Sequence, residues 1–191
     1  LWDETNTLDT TGAALCAQFG ITEDVAKELH LATPHGQPNS LAFPVPIYGQ
    51  LMDVRVYTPG GKPKVRSRAE SVSGMIIPFD IWRNTPQNKI TIICAGEKDM
   101  AVARSHGFNA ITITGGEMMV PRILEPFRGR PVIICYDNDD TGYNGARNLA
   151  AALYPYTKQI KICESFHEVC KEPKEDITDF FVKYGKSRAD L

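Results

Sequence analysis

Long apolar runs are missing: nowhere in the 191 residues does one approach the roughly 18 residues that a membrane-spanning helix needs. Nor does the chain open with a positively charged stretch and an apolar middle, the pattern of a secretory leader. A soluble, cytoplasmic protein with no membrane partner is expected. Because residue 1 is leucine and not methionine, the sequence reads as a segment of a longer chain. Paired cysteines are missing too. The five cysteines are an odd number with no CxxC pair, which argues against both a disulfide framework and a zinc ribbon. Cys163, His167 and Cys170 lie close in sequence, but no fourth ligand follows at zinc spacing, and Cys163 falls in an apolar alternating run. Excess charge is also lacking. A net charge of -2 gives no whole-chain attraction to nucleic acid, so any basic surface has to be local. There is no internal repeat, no low-complexity segment and no GxxxxGK[ST] phosphate loop.

What remains is an ordinary globular composition, 42% hydrophobic and 23% charged, enough for one good core and a smaller appended lobe. The first twenty residues are small and polar. They lead into one short helix over residues 22–31, where Thr22 caps apolar positions at helical spacing. Pro34, Gly36 and Pro38 then break the chain, and residues 43–72 change to short alternating runs. Met52–Tyr57, the turn Thr58-Pro-Gly-Gly61 and the run 62–68 read as a hairpin. In its second arm Lys62, Lys64, Arg66 and Arg68 are two apart, a period that places all four on one face of a strand. With Arg55, residues 54–69 hold five basic residues and no acidic one, which suits an anionic partner better than mere protection of an edge strand.

From residue 89 onward strands and helices alternate. Apolar strands are expected at 90–94, 110–114, 131–136 and 159–163. Helices are expected at 98–105 and 142–154, with a closing helix at 177–184. Continuous apolar strands separated by helices imply a parallel sheet covered on both faces. Ligands of such sheets bind beyond the carboxyl ends of the strands. Those ends are acidic here: Ala95-Gly-Glu-Lys-Asp99 follows the first strand and Asp137-Asn-Asp-Asp-Thr-Gly142 the third. If these strands are neighbours, Glu97, Asp137 and Asp139 converge on one rim. Clustered carboxylates need a compensating cation, and hard oxygen ligands suit Mg²⁺ or Mn²⁺, the ions of phosphoryl and nucleotidyl transfer. The plainer reading is that Asp137 to Asp140 merely cap the following helix, with Asp140 or Thr141 as the candidate cap.

Gly96-Glu97 and Asp137-Asn-Asp139-Asp-Thr-Gly142 together resemble the glutamate and DxDxxG motifs of the TOPRIM family, which includes bacterial primases, phage primase-helicases, topoisomerases and some nucleases. The resemblance covers residues 89–180. Asp53-Val-Arg55, Pro63-Lys-Val-Arg66 and Ile77-Pro-Phe-Asp-Ile-Trp82 are similar to the segment that primases carry before this domain. The resemblance implies an α/β fold: a TOPRIM domain at 88–191, with a four-stranded, mainly parallel Rossmann-like sheet and a C-terminal helix. A lobe at 1–87, a short helix plus a small β-rich basic region, precedes it. It also implies that Glu97, Asp137 and Asp139 are catalytic and hold the metal. Asp176 is a further metal-proximal acid, with Asp179 as its rival. Arg55, Lys64, Arg66 and Lys98 contact template or nucleotide.

The implied activity is that of a DNA primase core from a phage, mobile element or bacterium. Its partners would be a single-stranded DNA template, ribonucleoside triphosphates and a replicative helicase in cis or trans. The alternatives are a TOPRIM nuclease, using the same carboxylates on water, and a non-catalytic module that binds single-stranded DNA. Tyr57, Tyr136 and Trp82 are candidates to stack on bases, Trp82 more readily closing the core of the small lobe. Gly115-Gly116 with Glu117 is either a phosphate contact or only a turn.

Overall fold

The computed structural model describes residues 7–163 and 165–191, the side chain of Ser165 excepted. Its N-terminal part holds two helices where one was expected. Helix α1 (Thr10–Phe19) starts at Asp9, whose carboxylate accepts from the Gly12 amide at 2.8 Å, and ends at Gly20, which is left-handed at φ 76°. Those two residues were the legible signals in a stretch otherwise lacking an apolar stripe. Helix α2 (Glu23–Glu28) is shorter than the expected span, and Thr22 caps it.

The small lobe is a three-stranded antiparallel sheet, β1 (Leu41–Ile47), β2 (Gln50–Tyr57) and β3 (Val65–Arg66). The main partner of β2 is β1, not the basic run that follows it. That run does not form one strand from 62 to 68. Pro63 has no amide to give to a ladder, and a turn holds the residues before Val65, with Thr58 N donating to Lys64 O at 2.8 Å. The four cations therefore do not line one strand face, although Lys62, Lys64, Arg66 and Arg68 are all exposed.

The second sheet has five strands and is mixed, which corrects the four-stranded, mainly parallel expectation. Its order is β4-β6-β5-β7-β8, with β4 Ile76–Ile77, β5 Thr91–Cys94, β6 Ala110–Ile113, β7 Pro131–Cys135 and β8 Gln159–Ile162. The last four are parallel to their neighbours; β4 runs antiparallel to β6 and covers its open edge. At two residues, β4 is too short to show an alternating pattern. It is followed at once by α3 (Phe79–Arg83), so residues 76–83 pack with the larger sheet.

One face of this sheet packs against α4 (Glu97–Ser105), α1 and α2 in an apolar core that also takes in Leu41, Phe43 and Phe180. The other is covered by α3 and α5 (Asp140–Leu153) through Phe79, Trp82, Ala146, Leu149 and Leu153, with Phe127 from the short turn Glu125–Phe127 packed among them. Trp82 thus closes the core of the large sheet, not of the small lobe. It is fully buried, with its indole N–H on Thr91 Oγ1 at 2.9 Å. Tyr136 is buried as well, and neither ring is open to a base.

Candidate metal centre

Strands β5 and β7 are parallel neighbours with Cys94 opposite Cys135, so the chain leaves both at the same edge. After β5, Gly96 caps α4 and places Asp99 in its first turn. After β7 comes Asp137, then Asp139, whose carboxylate accepts from the Gly142 amide at 2.9 Å and caps α5. Asp139 is therefore the capping residue, not Asp140 or Thr141. Gly142 closes the motif for a steric reason: a Cβ there would lie 2.2 Å from the Asp137 carbonyl oxygen. A third segment is stitched on by backbone hydrogen bonds from Asn138 N to Glu175 O (3.0 Å) and from Lys174 N to Asn138 O (3.2 Å). It delivers Asp176.

Asp99, Asp137 and Asp176 bring one carboxylate oxygen each within 4.8 Å of one another. Among the described residues this is the one such acidic, histidine or cysteine group of three or more, and it contains neither Glu97 nor Asp139. Asp176 and Asp179 exchange backbone contacts, Asp176 N donating to Asp179 Oδ2 at 3.2 Å and Asp179 N to Asp176 Oδ1 at 3.0 Å. Asp99 Oδ1 accepts from Thr178 Oγ1 at 2.6 Å. The Asp137 amide donates to Glu117 Oε1 at 2.9 Å, so Glu117, after the Gly115-Gly116 turn, buttresses the site from the loop that follows β6.

Crowding and burial shift the carboxyls strongly. Burial, followed by the charges of Asp99, Glu117, Asp176 and Asp139, pushes Asp137 up to about 9. Asp99 is also raised, by burial first and then by Asp176. Burial opposes the Lys98 ammonium, but the charges of Asp99 and Asp176 outweigh it and its pKa ends raised. Lys98 Nζ lies 2.7 Å from Asp176 Oδ2 and 3.2 Å from Asp99 Oδ1. It does not satisfy Asp137, whose Oδ1 is buried with no hydrogen-bond partner among the described residues. Three convergent carboxylates, one of them with an orphaned oxygen, fit a divalent cation.

No protein-family model matches the chain, and no curated protein matches it in sequence. Solved structures do match. A DnaG catalytic core superposes with a TM-score of 0.69 at 14% identity, over 91% of this chain and 69% of that one. The zinc-binding and RNA polymerase domains of the Aquifex aeolicus primase give 0.71 at 14% identity, over 93% and 53%, so this chain spans about half of that fragment. The primase fragment of the bacteriophage T7 primase-helicase gives 0.62 at 12% identity, over 96% and 76%. The chain has the fold of the bacterial and phage primase catalytic cores.

In this primase fold the other candidate residues divide into two groups. Glu97, 4% exposed, stands outside that group of aspartates and accepts from Arg55 Nε at 2.7 Å, and Arg55 Nη1 donates to Ser67 Oγ. Arg55 therefore joins the small sheet to the start of α4. Lys98, in contrast, points into the carboxylate cluster. Lys64 and Arg66 are exposed, and Arg66 Nη2 donates to Gln37 Oε1 at 2.5 Å. Tyr57 is half-buried and packs edge-on against Phe19. The sequence reading passed over Asp99, although it stands in the Gly96–Asp99 segment already singled out. Two residues apart on a helix are about 200° apart around its axis, so Glu97 and Asp99 cannot face the same way. Which one faces the rim depends on how α4 packs.

Proposed function

We propose that the chain is the catalytic core of a DNA primase, joining ribonucleoside triphosphates into RNA primers on single-stranded DNA with Mg²⁺ or Mn²⁺. The observation that carries this reading is the Asp99–Asp137–Asp176 cluster at the carboxyl edge of the parallel strands, in a chain of primase fold. A divalent ion held there supplies the charge neutralisation that nucleotidyl transfer requires. The three aspartates bind and orient. Glu97 fixes Arg55 and so the small lobe, and Asp139 fixes the start of α5; both are positioning residues of the site. The exposed Lys64 and Arg66 hold the template backbone. A DnaG catalytic domain of the same fold is known bound to single-stranded DNA. A replicative helicase, in cis or trans, is the partner we assign, since unwinding exposes the template.

A second reading has one observation in its favour. Lys98 already neutralises two of the three aspartates, as a domain that binds single-stranded DNA without chemistry could afford. An extension assay on varied single-stranded templates, with labelled ribonucleotides and Mg²⁺ or Mn²⁺, separates the two. Metal-dependent RNA oligomers are expected. Template binding without product would leave the binding module, and template cleavage would indicate a nuclease.

The template role of the basic strip has its own test. Each phosphate contact releases condensed counterions, so Lys64→Ala or Arg66→Ala should flatten the salt dependence of single-strand affinity by roughly 0.7 of a log–log unit. Anisotropy titrations across a salt series measure this, with Lys27→Ala on α2 as control. Lys27 is exposed and pairs with Glu23, so its slope should match wild type. Equal slopes in all four proteins would remove the strip from the interface.

A further inference from the structure

We propose that Lys98 is a built-in counter-cation of the carboxylate cluster, and that divalent-ion binding is an exchange in which the ion takes over Asp99 and Asp176 as the Lys98 ammonium leaves them. The inference rests on the metal reading above and adds a competitor to it. Lys98 lies in the first turn of α4 next to Asp99, and its side chain is only 17% exposed. Its ammonium touches two of the three carboxylates that would ligate an ion. The same carboxylates serve both. Asp99 Oδ1 already accepts from Thr178 Oγ1 and contacts Lys98 Nζ, while Asp176 gives Oδ1 to the Asp179 amide and Oδ2 to Lys98. Only the third member, Asp137, keeps a buried oxygen without a partner.

An ammonium and a divalent ion cannot share this space cheaply, because like charges a few ångströms apart repel strongly where water is scarce. Lys98 can yield. Its four-carbon stem lets the ammonium swing out without moving the backbone, whereas the aspartates are fixed by a helix N-terminus and by a loop held to Asn138. Metal-free, the cluster is held together by its own lysine; metal-bound, that lysine is released toward the rim, where it can meet the phosphates of a nucleotide.

Manganese binding to wild type, Lys98→Met, Lys98→Arg and Asp137→Asn, followed by calorimetry at pH 8, tests the exchange. Lys98→Met removes the competitor and should tighten Mn²⁺ about tenfold or more, whereas Lys98→Arg, which keeps the charge, should not. Unchanged or weaker binding by Lys98→Met overturns the exchange. The underlying metal reading fails separately: Asp137→Asn would then bind Mn²⁺ as wild type does, or neither wild type nor Lys98→Met would bind at all. Should Lys98→Met not fold, the wild-type protein still decides. The ¹H–¹⁵N signal of the Lys98 ammonium, sheltered by its two carboxylates, should be visible without metal and should shift or broaden on saturation with Mg²⁺. A signal that Mg²⁺ leaves unmoved rejects the displacement.

Discussion

Asp137→Asn should raise the melting temperature of the metal-free protein while lowering nucleotide addition by at least about a thousandfold. The loss follows because charge neutralisation by a bound metal contributes several kcal/mol to such reactions, and about 1.4 kcal/mol is a factor of ten. The gain in stability follows from the proton. In the folded protein the Asp137 carboxyl is held up at about 9, by burial first and then by four neighbouring carboxylates, against an ordinary value of 3.8. Between about pH 4 and about pH 9 the unfolded chain therefore releases a proton that the folded chain keeps. Stability carried by that proton is complete below about pH 4 and is lost as pH rises toward 9. Asparagine has no proton to lose. The advantage of the variant should grow with pH, by at most about 1.4 kcal/mol per pH unit, between about pH 5 and about pH 8.5. Thermal melts across that range, with and without Mn²⁺, measure it. Mn²⁺ should stabilise wild type and not the variant. A variant destabilised at every pH would mean that Asp137 serves the fold and not a cation.

Arg55→Met should cost about 3–5 kcal/mol, the usual result of leaving a buried charge without its partner. The Arg55 and Glu97 side chains are 11% and 5% exposed, and their contact at 2.7 Å spans the small sheet and α4. Removing both charges together, as Arg55→Met with Glu97→Gln, should recover most of that loss, since a neutral pair does not have to be desolvated. Urea denaturation of the four proteins completes the cycle. The same variants separate two roles for Glu97. If it anchors Arg55, Glu97→Gln keeps far more nucleotide addition than Asp137→Asn does. Equal losses would place Glu97 with the metal ligands, as its motif position suggests. A loss below 1 kcal/mol in Arg55→Met, accompanied by a rise in KM, would instead make Arg55 a substrate contact.

The strands β5, β6, β7 and β8 and the helices between them could be read from the sequence, because two-sided burial leaves continuous apolar runs and the helices carry an apolar stripe. So could the acidic edge, since parallel strands expose their carboxyl ends on one side whatever the details of packing. Asp137 needed no tertiary knowledge: it is the second residue past β7, and Gly142 marks how closely the next helix returns to it. The two-residue β4 was too short to leave a pattern, and it takes its place only because β6 offers an open edge. Whether the basic run formed a strand turned on Pro63 and on the turn that holds Lys64 against Thr58. Above all, tertiary structure decided which carboxylates meet. Glu97, Asp99, Asp137, Asp139 and Asp176 are equivalent as letters, but a helix rotates each residue by about 100°, and an arginine from another sheet can claim one of them. The sequence by itself determined that acids gather at this edge. Only packing decided that Asp99 and Asp176 join Asp137 there, that Asp139 caps a helix, and that Lys98 already stands among them.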